Sequence, residues 1–211
     1  MRHLTLIDKF LTQANNALET IFTVPSHTHD NPAQTITENA LSESERKNSI
    51  GCMRVNHTGE VCAQALYRGQ LIACRNKKTR VMLEQSCEEE SNHLAWTQER
   101  LTELQGKTSF FNPFFYGNSF FIGLLAGMIG DAWSLGFVEE TEIQVAKHLS
   151  GHLKKISVND RKSRTIIEQM REDEITHEKK AVAAGAHQLP EVVKKIMQLQ
   201  SKVMTTVTYW V

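Results

Sequence analysis

Two short stretches carry the residues best suited to chemistry, Glu90-Ser91-Asn92-His93 and Glu174-Ile175-Thr176-His177. On an α-helix, residues three apart share a face, so each stretch presents a carboxylate and an imidazole to one point. A lone glutamate precedes each copy, Glu60 by 30 residues and Glu142 by 32. Two Glu-x-x-His helices, with one glutamate from each of two neighbours, form the ligand set of a carboxylate-bridged metal pair in a four-helix bundle. Carboxylates with two imidazoles suit iron or manganese better than a thiolate-bound zinc. Burying four carboxylates costs several kcal/mol each unless positive charge offsets them. Two ferrous ions would do so, and two iron ions per chain are the expected cofactor. On this scheme Glu90 and Glu174 bridge, Glu60 and His93 complete one iron, and Glu142 and His177 complete the other. Asp173 and Glu89, each one residue before a bridging glutamate, are either helix-surface carboxylates or supports that orient the histidines.

The elements that must position these six side chains are helices. Ser42-Glu43-Ser44-Glu45 has the pattern of a capping box, and the helix it opens is predicted to run to about Arg75. A turn over 76–79 leads into a helix ending near Leu104, where Leu83, Cys87, Glu90, Leu94, Thr97 and Leu101 share a stripe. Leu135, Val138, Glu142, Val145 and Leu149 form the stripe of a helix over about 130–156, which selects Glu142 over Glu139 and Glu140. Asp160 is a natural N-cap for a helix with Ile166, Ile167, Met170, Glu174 and His177 on its core face. A last helix is expected after Pro190. The pattern is two helical hairpins, each bearing a glutamate and a Glu-x-x-His.

Bulk properties agree with this fold. In 211 residues, 40% are hydrophobic and 23% charged, which is ordinary globular composition. The net charge of zero gives no reason to expect a nucleic-acid partner. Cys52, Cys62, Cys74 and Cys87 show no C-x-x-C spacing and read as reduced thiols. Leu4, Ile7, Phe10, Leu11, Ala14, Leu18 and Ile21 recur at helical spacing, which suggests an amphipathic helix and not a cleaved leader. The expected organisation is an N-terminal amphipathic helix over 1–22, a linker over 23–40, and a metal-binding domain over 41–211. In the linker, His27 and His29 are read as solvated.

The stretch 108–130 contains no charged residue. Asn112-Pro113 and Gly117-Asn118 are expected to break it, leaving too short an apolar run to cross a bilayer. Its phenylalanines suit a lipid interface or an apolar ligand, while an ordinary buried loop and helix start is the plain alternative. Gly123, Gly127 and Gly130 would let another backbone or a flat ligand approach closely. Gly59, beside Glu60, removes a side chain where substrate or dioxygen could approach.

Several stretches together resemble the demethoxyubiquinone hydroxylases, and most closely their bacterial branch. They are Arg54-Val55-Asn56-His57-Thr58-Gly59-Glu60, Glu90-Ser91-Asn92-His93, Gly130 to Val138, Glu142, and Asp173-Glu174-Ile175-Thr176-His177. The resemblance covers essentially the whole chain. It implies an all-α, ferritin-like four-helix bundle with extra N- and C-terminal helices and a short apolar interfacial segment. It also implies a di-iron monooxygenase of ubiquinone biosynthesis that uses O2 to hydroxylate a polyprenylated quinone. Such an enzyme would sit peripherally on the cytoplasmic face of the bacterial inner membrane, meeting the bilayer through residues 108–130. A homo-oligomer or a complex of ubiquinone-biosynthesis proteins is the implied setting. His148 matches a family histidine near the quinone pocket. Animal members follow it with a tyrosine where this chain has Leu149, which leaves Tyr209 as a candidate for any such redox role. The rival readings are a ferritin- or rubrerythrin-like protein handling iron or peroxide, and a helical scaffold with no metal.

Overall fold

The computed structural model describes residues 5–23, 28–38 and 40–211; Leu4 and His27 lie outside them. Among the described residues there are seven helices and no strand. They are α1 (Leu6–Phe22), α2 (Glu43–Ala73), α3 (Lys77–Glu103), α4 (Asn112–Ile129), α5 (Asp131–Lys155), α6 (Arg161–Ala183) and α7 (Glu191–Thr208).

Local chemistry accounts for the boundaries. The Ser42 hydroxyl accepts from the Glu45 amide while the Glu45 carboxylate accepts from the Ser42 amide, so two donors left over at the start of α2 are satisfied. Asp160 caps α6 by accepting from the Ser163 amide at 3.0 Å. Gly130, at φ 150°, lets α4 turn directly into α5.

Helices α2, α3, α5 and α6 make the bundle. Two apolar clusters show their direction, one joining Met53, Leu101, Leu149 and Ile166, the other Tyr67, Leu83, Val138 and Ala181. As residue numbers rise from one end to the other in α2, they fall in α3 and α5 and rise again in α6. Glu60, Glu90, Glu142 and Glu174 therefore lie between the two clusters, at mid-height.

Of the two breaks expected in 108–130, the one at Asn112-Pro113 is the boundary between a loop and α4, and the one at Gly117-Asn118 does not occur. Pro113 sits in the first turn of α4, where no backbone bond is lost, and Gly117 and Asn118 continue the helix. Gly123 meets another backbone and no flat ligand. A Cβ there would lie 2.1 Å from the Leu66 carbonyl oxygen, and one at Gly69 would lie 2.2 Å from that of Phe120. Those two glycines allow α4 to lie against α2 at a distance no larger residue permits. Thr58, immediately before Gly59 and Glu60 on α2, donates to the Asn112 side chain at 2.8 Å, which fixes the start of α4. No described helix is long and apolar enough to cross a membrane.

Candidate metal centre

The six residues singled out by spacing are brought together. Their exposures range only from 0% at Glu90 to 2% at Glu60 and His177. One group of donor atoms comprises Glu60, Glu90, His93 and Glu174, and another comprises Glu90, Glu142, Glu174 and His177; within each, the atoms lie within 4.8 Å of one another. Glu90 and Glu174 belong to both groups. His93 Nδ1 stands 3.2 Å from Glu90 Oε2, 3.3 Å from Glu174 Oε1 and 3.8 Å from Glu60 Oε2. His177 Nδ1 stands 3.1 Å from Glu174 Oε2 and 3.3 Å from Glu90 Oε1.

The outer edges of the two rings are held by carboxylates from the opposite hairpin. His93 Nε2 pairs with Asp173 Oδ2 at 3.0 Å, and His177 Nε2 with Glu89 Oε2 at 2.5 Å. Gln169 donates to Asp173, and Lys180 pairs with Glu89. With Nε2 bonded outward, each ring turns Nδ1 to the carboxylate cluster. These outer pairs line a polar cleft of about 420 Å³ that also includes His29, Asp30 and Asn92. Asn92 is itself buried, its Oδ1 accepting from the Thr28 and His29 amides at 2.8 and 3.1 Å.

Burial and like charge dominate the electrostatics. Burial first, then the Glu90 carboxylate, raises Glu60 well above the usual range, while burial with Glu174 and Glu90 raises Glu142. Burial opposes ionisation of Glu90 too, but its bonds to His177 and His93 outweigh that and hold it low. Both imidazoles are pushed up by surrounding carboxylates despite burial. Protons are one means of balancing this charge, and two divalent cations are another. The donor set suits hard or borderline cations, and each of its two groups of four donor atoms is compact enough to surround one ion. The residues fit a pair of iron ions.

Tyr67 was not among the residues singled out. It is fully buried, and its hydroxyl donates to Glu142 Oε1. Its place seven residues after Glu60, about two helical turns and so on the same face, was a legible signal.

Glu60 also faces a cavity. A small space of about 40 Å³ is lined by Glu60, Asn56, Gln144, His148 and Leu149, with Gly59 at its edge. That is room for a water or a dioxygen. His148 Nε2 is buried without a partner. His152 Nδ1 bonds Asn56 Oδ1 at 2.8 Å, and the His148 and His152 rings stand 4.0 Å apart. A larger apolar cavity of about 120 Å³, lined by Leu66, Phe115, Ile122, Phe137 and Met197, shares Gly59, Gln144, Val145 and Met204 with the inner one. A Cβ at Gly59 would meet nothing within 4 Å. Tyr209 stands apart, its hydroxyl donating to Asn48 Oδ1 at 2.8 Å and its ring covering Gly51, nine residues before Glu60.

Comparison with known proteins gives a consistent result. The family described as ubiquinone biosynthesis protein COQ7 matches residues 47–208. Relatives named 3-demethoxyubiquinol 3-hydroxylase include one from Coxiella burnetii, 54% identical over 210 residues, covering 100% of this chain and 98% of that protein. Another, from Nitrosococcus oceani, is 50% identical over 211 residues, covering 100% and 99%. One from Nitrosomonas europaea is 47% identical over 205 residues, covering 97% and 99%. Among solved structures, a dodecameric thioferritin, the bacterioferritin-related protein of Bacteroides fragilis, superposes with a TM-score of 0.54. It is 14% identical and covers 74% of this chain and 90% of that one, a likeness of fold. The bundle is ferritin-like.

Proposed function

Because the chain belongs to the COQ7 family of ubiquinone biosynthesis proteins, we propose that it is an O2-dependent monooxygenase that hydroxylates the ring of a polyprenylated demethoxyubiquinol. Glu60, Glu90, His93, Glu142, Glu174 and His177 would hold its two iron ions. The observation that carries this reading is the meeting, at Glu60, of the carboxylate–imidazole cluster with a cavity that continues into an apolar one. When bound, the iron pair supplies activation of dioxygen, the step no side chain of the protein can perform.

The protein's own part is positioning and exclusion. Asp173 and Glu89 fix the two imidazole rings. Phe115, Ile122 and Phe137 offer apolar surface to the prenyl tail and keep water from the ring. At the inner end, His148 Nε2, Asn56 and Gln144 are the polar groups that can meet the ring oxygens, and bare Gly59 lets the ring approach Glu60.

The substrate's tail is lipid-soluble, and the outer surface suits collection from a bilayer. Phe110 is 82% exposed and Phe114 67%. Phe121, Leu125, Met128 and Ile129 are also exposed along α4, as are Val192, Ile196, Leu199 and Val203 on α7. These side chains support a peripheral position on a membrane, with α4 as the contact.

Iron-loaded protein given demethoxyubiquinol, a reductant and ¹⁸O2 should yield labelled hydroxylated quinol. Product without label would overturn the monooxygenase reading. An iron-storage protein shares the ligand pattern but has no use for an apolar cavity at Glu60, and it would stay in solution when mixed with vesicles.

A further inference from the structure

The site is built from an internal repeat of its six donor residues, and the two halves differ two turns beyond the lone glutamates. Glu60 corresponds to Glu142, Glu90 to Glu174, and His93 to His177. Two turns beyond Glu60 stands Tyr67; two turns beyond Glu142 stands Leu149. Because α2 and α5 run antiparallel, each reaches the glutamate of the other helix. Tyr67 donates its hydroxyl to Glu142 Oε1. Leu149 has nothing to donate, and it lines the small cavity on which Glu60 opens. The two are equally buried, at 0% and 1%, so the difference is chemical and not one of exposure.

The consequences fall on opposite sides of the cluster. A hydroxyl donated to Glu142 Oε1 fixes that carboxylate's rotation and occupies one of its oxygens. The phenol ring fills the space beside it, packed with Leu83, Val138 and Ala181. On the other side Glu60 has no phenol beside it, and the cavity it lines shares Gly59, Gln144 and Val145 with the apolar cavity beyond.

We propose that the two metal positions are functionally unequal: the Glu60 side is open to small ligands and substrate, and the Glu142 side is sealed by Tyr67, a positioning residue. This rests on the di-iron reading above.

The test uses the full chain titrated anaerobically with ferrous iron alone, followed by calorimetry and Mössbauer spectroscopy, with azide as a small anionic probe. Wild-type protein should bind two equivalents and give two distinguishable ferrous signals, of which azide perturbs one. Tyr67→Phe removes a single hydroxyl. It should weaken one binding step about tenfold and shift the azide-insensitive signal, leaving the other step unchanged. Azide acting equally on both signals of the wild type overturns the inequality, and that measurement needs no variant to fold. So does a Tyr67→Phe variant that weakens both steps alike, or an azide effect confined to the signal that Tyr67→Phe shifts. In those cases two irons still bind, and the hydroxylase reading stands. Folded wild-type protein that takes up no iron removes both.

Discussion

Asp173 and His93 lie on different hairpins, yet the Asp173 carboxylate accepts from His93 Nε2 at 3.0 Å. The mirror pair, Glu89 and His177, crosses in the other direction. Each carboxylate sits one residue before a glutamate shared by both donor groups, so one turn of helix supplies a candidate bridge and a support for the facing helix's ring. Asp173→Ala and Glu89→Ala should each reduce iron affinity about 10- to 100-fold while leaving helix content unchanged. Anaerobic iron titration with far-UV circular dichroism measures both. An affinity unaltered in both variants would show the crossed pairs to be surface contacts.

Two glycines should respond oppositely to the same change. Gly59→Ala adds a methyl to open space within a helix and should stabilise by about 0.5–1 kcal/mol. Gly123→Ala drives a methyl against the Leu66 carbonyl and should destabilise by about 2 kcal/mol or more, as overpacking does. Urea unfolding of the pair decides the matter. Gly59→Leu should keep iron content and fold but lower kcat/KM for the quinol at least about tenfold, since it fills the junction of the two cavities.

Arg100 is buried and fully engaged. Its guanidinium bonds Glu38 at 2.7 Å, Asp160 at 2.8 Å, Glu103 at 2.7 Å and the Ser163 hydroxyl at 2.9 Å. Arg100→Met removes the partner of fully buried Asp160 and should cost about 3–5 kcal/mol, because an uncompensated carboxylate remains. A loss under about 1 kcal/mol in thermal or urea unfolding would contradict this.

Acid should weaken the fold through buried imidazoles outside the metal cluster. Burial, with Lys155 nearby, lowers His148 to about 4; burial, His148 and Lys155 lower His152 to about 2. Unfolded, each titrates near 6.5. Between those values the unfolded chain binds more protons, so the stability is complete above about pH 6.5 and declines as pH falls. At pH 5 the loss is about 2 kcal/mol per imidazole. His148→Phe, compared with wild type at matched metal content, should lose about 2 kcal/mol less between pH 7 and 5. Equal declines would refute the assignment.

Much of this architecture is legible in periodicity, and its gaps have physical causes. The stripe of α5 selects Glu142, whose carboxylate lies in the interior. Glu140, read as off that stripe, is nonetheless buried, at 6%, with Lys194 of α7 3.7 Å away. Periodicity within one helix cannot show a face covered by a distant one. Asn92 is the same case, off the core stripe yet enclosed by the chain at 28–29. The stretch 108–130 looks broken because Pro and Gly are weighed singly. One proline in a first turn and one glycine within a helix lower its stability without ending it. Tyr67 is not legible in the same way, because a tyrosine on a core face looks like packing until its hydroxyl's partner is known.

The crossed pairs bear on how the protein matures. Neither hairpin holds a finished half: the ring on one needs a carboxylate from the other, and Glu90 and Glu174 serve both donor groups from opposite sides. An isolated hairpin would therefore have little grip on metal, and cation capture would report that the two hairpins have docked. On the di-iron reading, a nascent polypeptide built this way would gather no reactive metal before there is a shell to contain it.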